Sequence, residues 1–397
     1  MAGNWRILVG FWLALLWLSG CSYMPDMFWS DDEADITGYI EPRPGKSLDL
    51  IENWDRGIEG SPDDYMSHPR QIAVTEKSVF VGTYDGDVVR VDRASGSIVW
   101  RVGLNASVVG GVAVDEERVF AGTVEGEMMA LSRQSGSQVW RAEVSTKVAS
   151  APLVAEGRVI FTTLNNRTYA LNATNGDRLW THSSVPMVLV VQGAATPTTD
   201  GRAVYIGYST GEVFALSLDE GKVLWGENLS RMMGRSELDR LQDVDAEVVI
   251  GAASSDIPLP MIYTVNHKGS VVALHPGSGS PFWKHKFSAI RRPLLWGKQL
   301  FISDGDGQVV SMSAEDGLEV WRVKISDGTL TAPVRLGNQL IVGDDRGRLI
   351  SMDPTSGRVM GMNKLGDPII ADPVVDGSNL YIWTNDGDLI SFSVKGL

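Results

Sequence analysis

One stretch of sequence recurs eight times in this chain with a step close to 40 residues, and that spacing excludes most folds. The first copy runs Val-Phe-Val-Gly-Thr-Tyr-Asp-Gly-Asp-Val-Val-Arg-Val-Asp-Arg-Ala-Ser-Gly-Ser-Ile-Val-Trp, from Val79 to Trp100. The others begin at Val119, Val159, Val204, Ile262, Leu300, Leu340 and Leu380. Within each copy apolar residues alternate over two short stretches joined by a tight turn, which is the period of strands. A glycine stands seven residues into seven of the copies and Asn166 into the other, where the turn demands a positive φ. A second glycine, seventeen residues in, recurs from Gly96 to Gly357 and marks the next turn. A unit this short cannot bury its faces alone. The period predicts an all-β chain: an eight-bladed β-propeller of four-stranded antiparallel blades.

Six copies end in tryptophan at one offset, Trp100, Trp140, Trp180, Trp225, Trp283 and Trp321, and these residues are expected to open the outer strands. A residue repeated at one register in successive blades reads as packing between blades rather than as a ligand platform. Each ring would bury ~150–250 Å², worth roughly 4–6 kcal/mol as an upper bound. The eighth copy runs out at Leu397 before an outer strand can form, which would leave an unpaired edge. Trp54, within residues 50–56, is the expected replacement, so an N-terminal strand closes the ring and residues 50–397 form the propeller. Length alone would suggest two or three domains, and the repeat overrides that expectation.

The formal net charge of −14 argues against nucleic acid as a partner. Arg6 is the only charged side chain before Cys21, and Ile7 to Leu18 is apolar, too short to span a membrane and suited to a secretory signal. The run ends in Leu18-Ser19-Gly20-Cys21, which resembles a bacterial lipobox. Residues 1–20 are then a lipoprotein signal peptide, and 21–49 a lipidated N-terminus and flexible tether spanning roughly 30 Å. Cys21 is the only cysteine, so no disulfide can form within the chain. Ser22 behind it implies sorting to the outer membrane, with the propeller facing the periplasm.

The period breaks twice, and both breaks are expected between an outer strand and the first strand of the next blade. The smaller adds five residues after Trp180, in 184–193; the larger adds eighteen after Trp225, in 231–245. Connections of this kind emerge on one face, and these two belong to adjacent blades. The first is apolar and the second mixes Met, Leu and both charges, a composition that suits an interface with a charged rim. A buried strand at 186–191 and a solvated loop at 231–245 would explain the same residues.

With the lipobox, the closing strand and the run Arg-Ser-Glu-Leu-Asp-Arg-Leu-Gln-Asp-Val-Asp ending at Asp245, the whole chain resembles the BamB family, lipoprotein subunits of the bacterial outer-membrane β-barrel assembly machinery. The resemblance implies a non-enzymatic scaffold that binds a periplasmic POTRA domain of the central barrel subunit and assists insertion of outer-membrane proteins. The family's Asp-x-Asp contact pair falls on Asp243 and Asp245. Its Leu-x-Leu-Arg-Gly contact motif falls on 189–193, with Leu189 matched, Val191 at the second leucine and Gln192 at the arginine. Loss of that cation weakens one charge-assisted contact. Unfolded outer-membrane proteins, adding strands to the blade edges, are a second class of partner, and the propeller itself is expected to be monomeric.

No enzyme signature competes strongly. His68, His182, His267, His275 and His285 make no zinc spacing, and no nucleophile elbow or phosphate loop is present. Asp304-Gly305-Asp306-Gly307 opens like a calcium loop, but Val309 stands where glycine is needed, so a hairpin turn is expected. No metal, cofactor or catalytic residue is assigned. The repeat also resembles quinoprotein dehydrogenases, which hold a quinone and calcium on the axis but need a longer chain. A scaffold of another envelope complex is the third reading.

Overall fold

The computed structural model describes residues 49–58, 71–184, 194–229, 244, 246–255, 257–267, 269–289, 291–369 and 371–394. All of these belong to one compact unit, Tyr39–Leu397. They form eight four-stranded antiparallel sheets, with no helix among the described residues. Blades 1 to 7 are continuous in sequence: 73–103, 112–143, 153–183, 198–228, 249–286, 294–324 and 334–364. Blade 8 takes three strands from 374–394 and its fourth from Leu50–Gly57, so the expected closing strand is present.

The closing strand reproduces an outer strand residue for residue. In blade 1 Trp100 lies opposite Arg90 while Ile98 lies opposite Val91, leaving Val99 as the extra residue of a β-bulge. The same irregularity recurs in every other blade, and in blade 8 it sets Trp54 opposite Ser391 with Asn53 as the extra residue. The other six tryptophans are therefore the third residues of their strands rather than the first, as in Ile98–Gly103, and Trp54 is the fifth of Leu50–Gly57. The bulge turns the indole inward and leaves the residue before it exposed, as at Val99, Val139, Leu224 and Phe282.

Each indole then fastens its blade to the next. Trp54 donates through Nε1 to the Arg93 carbonyl at 2.9 Å, Trp140 to Ala173 at 2.9 Å and Trp225 to Pro276 at 2.7 Å. Trp100, Trp180, Trp283 and Trp321 bond the equivalent carbonyls of Arg133, Leu218, Ala314 and Pro354. The ring of each indole lies on the glycine of that same turn. At Gly96 (φ +68°) a Cβ would stand 2.6 Å from the Trp54 ring, and at Gly279 (φ +72°) 2.4 Å from that of Trp225. Glycine is required there twice over, for its conformation and for the close approach.

Seven junctions carry this staple and the eighth does not. Gly361 holds the tryptophan position in blade 7, opposite Ser351. Blade 8 takes its outer strand from Leu50–Gly57, so its third and outer strands are not joined by the kind of turn that receives an indole in the other blades. Aliphatic packing substitutes: Leu336, Ile341, Leu349 and Ile369 meet Leu380, Ile382, Ile390 and Phe392. On the other side of blade 8, Trp54, Tyr381 and Trp383 share a core with Val79, Val81, Val89 and Val91 of blade 1.

The turns between second and third strands are capped by the side chain that opens them. Thr83, Thr123 and Thr384 accept through Oγ1 from the backbone N–H four residues on. In the candidate calcium loop Asp304 Oδ1 accepts from Asp306 N at 2.9 Å and Gln308 N at 2.8 Å, so this segment is the expected hairpin turn. His275 likewise serves a turn, accepting at Nδ1 from Gly277 N, and His285 packs on Trp283.

Closure also gathers acids. The Asp388 carboxyl is raised above its ordinary range, first by burial and then by the charges of Asp55 and Asp386. The unfolded chain therefore releases this proton at lower pH than the folded one, and stability from the group falls as pH rises through the folded value. Asp388→Asn is expected to raise the melting temperature at pH 7 by about 1 °C. The gain should shrink towards pH 4 and vanish by about pH 3, where the unfolded carboxyl is protonated as well; an equal gain at pH 7 and pH 3 would refute the electrostatic cause.

Candidate functional site

Blades 3 and 4 carry the two breaks in the period, and their hydrogen bonds show where the connectors leave the ring. In ordinary blades the residue after the outer strand donates to the blade's second-to-third-strand turn, as Leu104 N does to Gly86 O. Ser184 N donates in the same way to Asn166 O, and Leu229 N to Gly211 O at 2.8 Å. On the return side of the larger connector, Val244 N donates to Tyr208 O at 3.2 Å. Both connectors thus start on the face that carries these turns, as the sequence predicts.

The anchors also touch one another. Ser184 Oγ donates to Glu212 Oε2 at 2.6 Å, and Thr210 Oγ1 donates to the same oxygen at 2.8 Å. Asn166, the one non-glycine at its turn position, has φ +57° and accepts through Oδ1 from Ser209 Oγ at 2.9 Å. Thr168 Oγ1 and Tyr208 Oη are 2.8 Å apart, fixing blade 3 to blade 4 beneath the anchors. His182 packs on Tyr208 and Phe214, and burial lowers its pKa against the opposing pull of Glu212. The residues 208–212 are therefore the point at which the two connectors converge, and that point is rigid.

The larger break is not a single insertion. Inner strands are aligned by their pairing, Ala113 with Phe120 in blade 2 and Val249 with Tyr263 in blade 5. Trp225 precedes Val249 by 24 residues where Trp100 precedes Ala113 by 13, so eleven of the eighteen extra residues lie in the connector. The other seven lengthen the loop between Val249–Gly251 and Met261–Val265, at the other end of the inner strand and so on the opposite face. This corrects the placement of all eighteen before the inner strand. Spacing between repeats gives the total of inserted residues but not the turn on which they fall. In that second loop Ile257 is buried and Leu259 is half-exposed.

Trp54, Trp140, Trp180 and Trp225 are buried and Trp100, Trp283 and Trp321 half-buried, and each donates to a carbonyl of the adjoining blade. Cys21, Leu189, Val191, Gln192, Asp243 and Asp245 lie outside the described residues. Sequence reasoning missed a cluster of charged side chains at the ring axis, Glu247, Arg291, Arg292 and Asp372. Their signal is visible only once the inner strands are aligned by pairing.

The sequence profile described as "Outer membrane protein assembly factor BamB" matches residues 84–323 and 305–396, most of the ring. The protein of that description from Pseudomonas aeruginosa is 38% identical over 289 residues, 72% of each chain. The chain belongs to the BamB family. The BamB protein of Escherichia coli is 26% identical over 147 residues, so the match spans only 36% of that relative's length. Among solved structures, BamB from Moraxella catarrhalis superposes with a TM-score of 0.76 at 22% identity, covering 87% of this chain and 99% of its own. A quinohemoprotein alcohol dehydrogenase from Pseudomonas putida reaches 0.71 at 12% identity, over 91% of this chain and 78% of its own. At these identities the two likenesses show the ring alone.

Proposed function

We propose that this protein is a non-enzymatic scaffold in outer-membrane β-barrel assembly, lipidated at Cys21, held at the outer membrane and facing the periplasm. Its partner is a POTRA domain of the central barrel subunit. Leu189 and Val191 supply an apolar centre, Gln192 a neutral polar contact, and Asp243 and Asp245 face basic groups on the partner. One observation carries this reading: the connectors that contain these residues both spring from the rigid turn at 208–212, through Ser184, Leu229 and Val244. A preformed base lowers the ordering cost of docking, and paired charges set register and association rate more than affinity. The apolar bulge residues on the blade edges, such as Leu224 and Phe282, favour added strands from unfolded outer-membrane proteins as a second partner class.

The test is co-purification of the barrel subunit with the Asp243→Ala/Asp245→Ala double variant. Capture should fall at least tenfold, the scale of about 1.4 kcal/mol, with the melting temperature unchanged. Undiminished capture would remove these residues from the interface, and a large fall in melting temperature would make them structural.

A further inference from the structure

Every blade contributes to a central cavity of about 610 Å³ on the ring axis. Align the inner strands by their pairing and consider the residue three places before the aligned one. In six blades it is small: Gly110, Ser150, Ala195, Ala246, Thr331 and Ala371. In blade 6 it is Arg291, only 4% exposed. In blade 1 the position is Arg70, outside the described residues, so among the described blades a long cation stands here alone, where the other six have room for a methyl group or a hydroxyl.

That cation is poorly satisfied by the protein. Arg291 Nε and Nη1 are buried without a hydrogen bond. Its counter-charge, Asp372 Oδ1, lies 3.7 Å from Nη1, beyond hydrogen-bond reach, and already accepts from Ala332 N at 2.7 Å. The neighbouring Arg292, half-exposed, has Nη1 3.4 Å from Glu247 Oε2, and the other oxygen of Glu247 accepts from Thr198 Oγ1. Arg335 also lines the cavity, with its guanidinium 4.4 Å from the Trp296 ring centroid. Among the described residues three arginines and two carboxylates thus line the cavity; Arg335 is exposed and donates from Nε to the Gly337 carbonyl at 2.9 Å, and both carboxylates already accept a hydrogen bond. A buried guanidinium has only donors to offer and is costly without an acceptor. The missing group is an anion, and the volume lies within the range of small-molecule sites.

We propose that this axial cavity binds a compact oxyanion, a carboxylate or a phosphate, between Arg291 and Arg292. Guanidinium groups match both classes in charge and in planar donor geometry. The proposal does not rest on the docking residues and stands whether or not they bind a POTRA domain.

The experiment is calorimetric titration of the full chain with inorganic phosphate and, separately, citrate, at constant ionic strength against chloride. At least one should bind saturably with Kd below about 1 mM. Phosphate alone would assign the phosphate class, and citrate alone the carboxylate class. Arg291→Met should abolish binding, and Arg292→Gln should weaken it at least tenfold. Arg292 is half-exposed, so its variant decides the matter if Arg291→Met fails to fold. No saturable binding by either anion would overturn the proposal, as would binding that survives Arg292→Gln. A melting temperature that rises equally with all three salts would show general screening instead, and would also overturn it.

Discussion

A chain lacking residues 50–57 should no longer fold to a stable ring, and we expect it to aggregate or to melt at least ~10 °C lower. The deletion leaves blade 8 with three strands and bares the edge of Asp388–Val394, a template for pairing with other chains. It also removes one of the seven staples. Trp54 is 7% exposed, bonds the Arg93 carbonyl and lies on Gly96, while Arg56 Nε donates to Gly96 O at 2.7 Å. Trp54→Ala alone should cost about 3–5 kcal/mol, since the fixed turn opposite cannot collapse into the space left. A peptide of residues 49–58 added to the shortened chain should restore the transition. A shortened chain that melts like the full one would show that the ring does not need this strand.

The second large effect is expected at Asp344. Its side chain is fully buried and accepts from the backbone of Arg346 and Arg348 at Oδ1, and from Ser326 Oγ and Arg348 Nε at Oδ2. It stands at the turn-capping position that Thr83 and Thr384 hold in other blades, where a hydroxyl suffices. Asp344→Ala would strand the largely buried Arg348 guanidinium and lose the cap, at about 3–5 kcal/mol. Asp344→Ala/Arg348→Met should recover much of the loss, because the pair is removed whole. If the double variant is as unstable as the single, the backbone cap rather than the ion pair is the greater contribution.

The ring was legible because its determinants repeat. Two glycines and a tryptophan at fixed offsets state the turn geometry and the junction chemistry once per blade, and a missing outer strand at Leu397 pointed to Trp54. The bulge was not legible, since one extra residue beside an indole leaves the alternation on either side intact. The division of the blade 5 insertion was hidden for a different reason: neither 252–260 nor the connector alternates, so nothing in the pattern says where strand pairing resumes. Arg291 escaped notice because two basic residues before a proline, Arg291-Arg292-Pro293, look like loop surface until pairing places them on the axis. The breaks after Trp180 and Trp225 marked where the long connectors leave the ring, and their anchors at Ser184 and Leu229 lie on the same side of it.

The pairing of Leu50 with Val394 has a consequence for the order of events during folding. A segment synthesised among the first must wait for the final strand before its backbone is paired, while every other blade can assemble from neighbours already made. Completion is thus tied to synthesis of the last strand, and a chain terminated before it would keep the seat of its N-terminal indole on blade 1 but leave that strand's backbone unpaired.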